Sequence, residues 1–191
     1  LLGSRGLGDV YKRQFLYKHL NIKISDKLKD DLYYCYESIY STISKIPRKF
    51  MHRDFHSRNL MVTEQHNPGV LDYQDAVIGP ITYDIVSLLK DCYTTWDNEI
   101  IYSLTSSFFT KIERHHNIIY EEFEYWFDIT GLQRHLKAIG IFSRLNYRDN
   151  KSNYLNDIPR TYEYIKETLE KYSELREIKR VFDEIDMDKK L

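Results

Sequence analysis

Between Thr82 and Ile185, five successive segments of this 191-residue chain read as helices: 82–93, 97–115, 120–147, 159–172 and 173–185. Only a polar connector, 150–157, stands out among them. A sixth helix is expected ahead of them, over about 25–45. There Ser25 is placed as an N-cap, and Leu28, Leu32, Cys35, Ile39, Ile43 and Ile46 recur at steps of three or four, forming one apolar stripe. Pro47 closes that run. The third of the five later segments contains Gly131 and Gly140, which lower helix propensity and argue against an unbroken run.

Extended structure is confined to a short stretch between these helical regions. Residues 50–63 read as strand, loop and strand. Asn67-Pro68-Gly69 is a turn signal, and Val70-Leu71-Asp72-Tyr73 reads as a short strand, so that 60–73 forms a β-hairpin. The expected class is therefore α+β, mainly α, with one small hairpin.

Composition narrows the function. Lys+Arg total 28 against 29 Asp+Glu, a formal net charge of -1. A protein held to nucleic acid by bulk charge would be strongly basic. No run of about 18 apolar residues suggests a membrane-spanning helix. Cys35 and Cys92, both placed in amphipathic helices, read as small buried hydrophobes of a reducing, cytoplasmic compartment. The opening stretch, 1–14, lacks an apolar pattern and resembles translated sequencing adapter. On that reading the natural chain begins near Phe15 and 15–191 forms one domain.

The chemistry is concentrated in His52-Arg53-Asp54-Phe55-His56-Ser57-Arg58-Asn59 and, eighteen residues after Asp54, in Asp72. Phosphoryl transfer needs a group that orients a hydroxyl and accepts its proton, and hard oxygen ligands for Mg²⁺. Protein kinases supply these from a loop of pattern H-R-D-x-x-x-x-N and a later Asp. A competing reading is a hydrolytic zinc site, since His52, Asp54 and His56 alternate along one strand face. The only other His cluster, His115-His116, sits on a helix where neighbouring side chains diverge by about 100°.

The stretches 52–62 and 69–93 resemble the aminoglycoside-phosphotransferase-like kinases, and within them the bacterial anomeric kinases of cell-wall amino sugars. The stretch 131–145, with Gln133-Arg134-His135, resembles the same group. The resemblance runs from about Ile24 to Tyr172. It implies a protein-kinase-like C-terminal lobe whose small hairpin carries the catalytic loop. It implies ATP and Mg²⁺ as co-substrate and cofactor, and a small-molecule sugar as acceptor. By position, Asp54 would be the general base or orienting carboxylate, and Asn59 and Asp72 the Mg²⁺ ligands. His52 would brace the loop and Asp84 would hydrogen-bond its backbone. His56, Arg58, Asp75, Gln133 and Arg134 are candidates for sugar contact. For Arg134 and Lys137 the alternative is a solvated helix face opposite Leu132, Leu136, Ile139 and Phe142. The same fold could also serve an aminoglycoside or a choline-like alcohol, or be a non-catalytic helical fragment.

The kinase pattern also requires an N-terminal lobe with a phosphate-covering loop and a Lys on the phosphates. Residues 1–51 are too few to form it, and no G-K-[ST] motif occurs. The chain is thus expected to be the C-terminal lobe alone, with its N-terminal lobe as a missing intramolecular partner. By itself it is expected to be inactive and to expose apolar surface.

Overall fold

A computed structural model describes residues 10–185. The greater part of the 1–14 stretch lies outside the described residues. The helices are α1 (Asp26–Ser44), α2 (Tyr83–Leu89), α3 (Asn98–His116), α4 (Tyr120–Asp149), α5 (Ile158–Lys171) and α6 (Arg176–Ile185), preceded by a π-helical segment, Tyr11–His19. Two small antiparallel sheets and short 3₁₀ turns connect them. In one, β1 (Arg48–Met51) pairs β4 (Val77–Pro80) with Phe50 opposite Ile78. In the other, β2 (Leu60–Met61) pairs β3 (Gly69–Val70) with Leu60 opposite Val70. The expected mainly helical class stands, with 7 of the described elements helical in the α or π sense and strands of at most four residues.

The chain divides into two compact units. The first comprises residues 1–42 and 132–191, and the second residues 43–131.

In the first unit the periodic residues are the buried ones. Leu28, Leu32, Cys35 and Ile39 of α1 are buried, and the Ser25 hydroxyl accepts the N–H of Leu28 at 3.2 Å, closing the helix start. Helix α5 buries Ile158, Thr161, Tyr162, Ile165, Thr168 and Leu169, a single stripe. Its two buried threonines donate to carbonyls four residues back, Thr161 to Asp157 at 2.6 Å and Thr168 to Tyr164 at 2.9 Å, so neither hydroxyl is stranded. Helix α6 buries Ile178, Val181, Phe182 and Ile185. Tyr11 and Phe15 are fully buried, and the Tyr11 ring lies against Phe15, Tyr36 and Phe182 at 5.2, 6.4 and 5.9 Å between centroids.

Helix α4 is unbroken despite its glycines. At Gly140 the reason is a close approach. A Cβ there would stand 2.7 Å from Val10 Cγ1 and 2.9 Å from the Tyr11 backbone nitrogen, so no side chain fits.

In the second unit the core is Val86, Leu89, Ile112, Phe123 and Phe127, with Ile81, Ile85, Leu88, Phe108 and Phe109 packed around it. Lys90 and Asp128 form an ion pair at 2.7 Å, with side chains only 12% and 7% exposed. The helix expected over 82–93 is shorter: α2 stops at Leu89, and Lys90 already has non-helical angles (φ -113°, ψ 45°). Cys92 therefore lies in a bend rather than a helix and is half-buried, unlike the expected core position, whereas Cys35 is 5% exposed.

Candidate functional site

All but two of the sequence-designated site residues lie in the second unit, between β1 and the end of α2. Strand β1 ends at Met51 and delivers the chain into His52 to Asn59, which closes with a short 3₁₀ turn, Ser57–Asn59. Arg53 has φ 80°, a conformation non-glycine residues seldom adopt. Asp84, in the first turn of α2, holds it. Its Oδ2 accepts the His52 N–H at 2.7 Å and its Oδ1 the Arg53 N–H at 3.0 Å. Charge-assisted bonds of this kind are the stronger class. They keep the loop entrance in a conformation its own torsional preferences oppose.

His52 is 5% exposed, and its ring meets Phe55 edge-on at 5.8 Å. Asp54 is half-buried, and its carboxylate makes no hydrogen bond or ion pair among the described residues. Its backbone carbonyl instead accepts from Asn59 Nδ2 at 2.9 Å and from the His56 N–H at 3.1 Å. Asn59 thus spends its amide nitrogen inside the loop, leaving the amide oxygen as its outward acceptor.

The hairpin pairing expected over 60–73 is confined to two residues on each strand. Asp72, expected at a strand end, lies beyond it in the left-handed region (φ 66°, ψ 37°), where an Asp is among the few residues tolerated. It precedes a 3₁₀ turn, Tyr73–Asp75, and its carboxylate accepts from Gln74 Nε2. The preceding Leu71 donates its N–H to the Asn59 carbonyl at 3.0 Å, and Arg53 Nη1 reaches the Asp75 carbonyl at 3.1 Å. These two bonds tie the Asp72 segment to the Asp54–Asn59 loop from both sides. Asp72 and Asp75 are exposed.

His56 and Arg58 both face Tyr93. The His56 ring meets it edge-on at 5.5 Å, and the Arg58 guanidinium sits 3.6 Å from the Tyr93 ring centroid, a close cation–π contact. Gln133 and Arg134 belong to the first unit, on α4, where Gln133 is buried and Arg134 half-buried. The neighbouring His135 is buried and stacked on Tyr164 at 4.8 Å.

Sequence reasoning missed Asp91. It is 2% exposed, and its carboxylate accepts from the Ser57 N–H, the Ser57 hydroxyl and the Tyr93 N–H. Its place between Lys90 and Cys92 looked like part of a helix face. The available signal was its spacing, seven residues after Asp84.

As a donor set, the Asn59 amide oxygen and the Asp72 carboxylate suit Mg²⁺, which is commonly held by one or two protein carboxylates together with substrate phosphates. Among the described residues no three His, Cys, Asp or Glu converge as metal ligands, so the zinc reading of His52, Asp54 and His56 finds no such cluster. No described helix is long and apolar enough to cross a membrane.

Residues 41–110 match a family described as the phosphotransferase enzyme family (APH). The chain is similar to three curated proteins called N-acetylmuramate/N-acetylglucosamine kinase. It is 36% identical over 186 residues to that of Neisseria meningitidis serogroup B, covering 96% of this chain and 55% of the relative. It is 34% identical over 180 residues to that of Pseudomonas putida, covering 93% and 53%. It is 35% identical over 167 residues to that of Pseudomonas aeruginosa, covering 86% and 49%. The chain therefore spans about half the length of the curated relatives it matches.

Proposed function

For a chain whose residues 41–110 match the phosphotransferase enzyme family, we propose that it is the catalytic C-terminal lobe of an ATP-dependent kinase whose acceptor is a hydroxyl of an amino sugar. N-acetylmuramate and N-acetylglucosamine are the favoured substrates, on the names of the relatives, and the anomeric hydroxyl is the favoured position. The observation that carries the reading is the Asp54 carboxylate. It has no partner among the described residues, in a loop whose entrance is clamped by Asp84 and whose exit is tied to the Asp72 segment.

In this reading Asp54 orients the sugar hydroxyl. As the hydroxyl oxygen bonds to the γ-phosphorus and the bond from phosphorus to the ADP oxygen breaks, the hydroxyl proton passes to the Asp54 carboxylate. Asn59 and Asp72 would hold Mg²⁺, which would offset the phosphate charge. His56 and Arg58 lie two and four residues beyond Asp54 and are proposed sugar contacts. Asp75, in the same unit, is a further proposed sugar contact.

A nucleotide lobe is the proposed intramolecular partner. Two features support it: the relatives' greater length, and the exposure of Phe50, Val62, Tyr73 and Ile78 at 70, 94, 68 and 58% on the strands and turns around the loop. Surfaces that apolar mark interaction sites. The setting of such a kinase would be cytoplasmic, where ATP is available.

The experiment is a screen of amino sugars with the full-length protein, reading ADP release and locating the new phosphate by ³¹P NMR. The reading expects N-acetylmuramate or N-acetylglucosamine to support turnover, with an anomeric phosphate as product. Turnover confined to an aminoglycoside or choline would replace the sugar, and turnover with no acceptor in the panel would remove the kinase reading.

A further inference from the structure

We propose that Asp91 is a positioning residue of the catalytic loop. Its buried carboxylate holds the 57–59 turn and the Tyr93 shelf together, and so sets Asn59 and Arg58 relative to Asp54. The proposal rests on the kinase reading of Asp54 and Asn59.

Three observations carry it. First, Asp91 is 2% exposed and makes no ion pair among the described residues, so its buried carboxylate is satisfied by hydrogen bonds. Three donors converge on this carboxylate, and an apolar residue in its place would leave them unsatisfied.

Second, its donors come from two different segments. Oδ2 takes the Ser57 N–H at 3.0 Å and the Ser57 hydroxyl at 2.6 Å. Oδ1 takes the Tyr93 N–H at 2.9 Å. Thr94 adds its hydroxyl to Ser57 Oγ at 3.2 Å. Ser57 opens a 3₁₀ turn, so its N–H has no partner within that turn and needs one from elsewhere.

Third, what is fixed lies on both sides of functional groups. Asp84 fixes residues 52 and 53, ahead of Asp54, and Asp91 fixes residue 57, behind it. Asn59 follows two residues later. Tyr93, seated by the same carboxylate, carries the Arg58 guanidinium at 3.6 Å and meets the His56 ring. One buried carboxylate thereby couples the turn bearing Asn59 to the ring against which the Arg58 guanidinium rests.

The test uses the full-length protein and its Asp91→Ala and Ser57→Ala variants. Initial rates are measured against Mg²⁺ and sugar concentration, and amide hydrogen exchange is read on the same samples. Asp91→Ala is expected to lower kcat roughly 10- to 100-fold, the range for a misplaced catalytic group. It should raise the Mg²⁺ needed for half-maximal rate and speed exchange at Ser57 and Tyr93, while leaving His52 and Arg53 protected by Asp84. Ser57→Ala keeps the backbone N–H bond and should shift the Mg²⁺ requirement in the same direction, but less. Parental kcat and Mg²⁺ dependence in a folded Asp91→Ala protein would overturn the proposal. So would exchange that rises uniformly along the chain, which would assign Asp91 to general stability. If the parent itself shows no sugar-dependent turnover, the kinase reading fails, and exchange at Ser57 and Tyr93 still decides whether Asp91 holds the turn.

Discussion

Asp84 accepts the backbone N–H groups of both His52 and Arg53, at 2.7 and 3.0 Å, and it does so where Arg53 is held at φ 80°. A carboxylate from the first turn of one helix thus stabilises a backbone conformation thirty residues earlier. Asp84→Ala removes both acceptors at once. Loss of hydrogen bonds to a charged group costs about 1.5–3 kcal/mol each. The variant should therefore unfold at clearly lower urea concentration, and the His52 and Arg53 amides should exchange fast. Unchanged exchange at these two amides would show that the loop holds its shape without Asp84.

The Lys90–Asp128 pair offers a second stability test. Both side chains are largely withdrawn from water, and Lys90 Nζ also lies 5.3 Å from the Phe127 ring centroid. Removing one partner from a buried pair costs about 3–5 kcal/mol. Asp128→Ala should fall in that range by urea unfolding, and the double change Lys90→Met with Asp128→Ala should cost less than Asp128→Ala alone. A single-variant cost under about 1 kcal/mol, typical of a surface pair, would contradict the burial.

Gly140→Ala should destabilise by about 1–3 kcal/mol, the usual cost of overpacking. The new methyl meets both Val10 Cγ1 and the Tyr11 backbone nitrogen. Val10→Ala in the same chain should recover only part of the loss, because the backbone contact remains. A thermal melt unchanged by Gly140→Ala would mean that residues 10 and 11 do not pack there.

The stability of the first unit should depend on pH through Cys35. Burial, with the Asp31 charge adding to it, pushes this thiol up from an ordinary 9.0 to about 11. The folded state therefore keeps a proton that the unfolded state releases. The Cys35 contribution is fully present below pH 9 and falls as pH rises from 9 to about 11. Cys35→Ala should flatten that part of the urea-stability profile relative to the parent. Parallel profiles would contradict it.

Much of this arrangement can be read from the residues alone, and the limits are physical. The amphipathic helices are legible because their apolar steps match the burial: Leu28, Leu32, Cys35 and Ile39, or Ile178, Val181, Phe182 and Ile185. The dense polar loop 52–59 is legible because such a run between apolar strands has few structural uses. Asp72 misleads, because the apolar Val70 and Leu71 before it extend the strand pattern, while the turn it begins depends on a left-handed residue that spacing does not reveal. Asp91 and Cys92 mislead for the converse reason. They continue a helical period past Leu89, where the chain has already left the helix and turned Asp91 toward Ser57. The need for glycine at position 140 was hidden because it depends on Val10, a neighbour 130 residues away in sequence.

The most direct measurement of the central claim is sugar-dependent ADP release by the full-length protein and its Asp54→Ala variant, with circular dichroism showing that both are folded. Among the described residues the Asp54 carboxylate engages no protein group, so its removal should leave the fold intact. The variant should lose at least about 10²–10⁴-fold in kcat, the usual contribution of a positioned base, with little change in the concentration of ATP needed. Turnover within a few-fold of the parent in the folded variant would contradict the assignment of Asp54, and with it the mechanism.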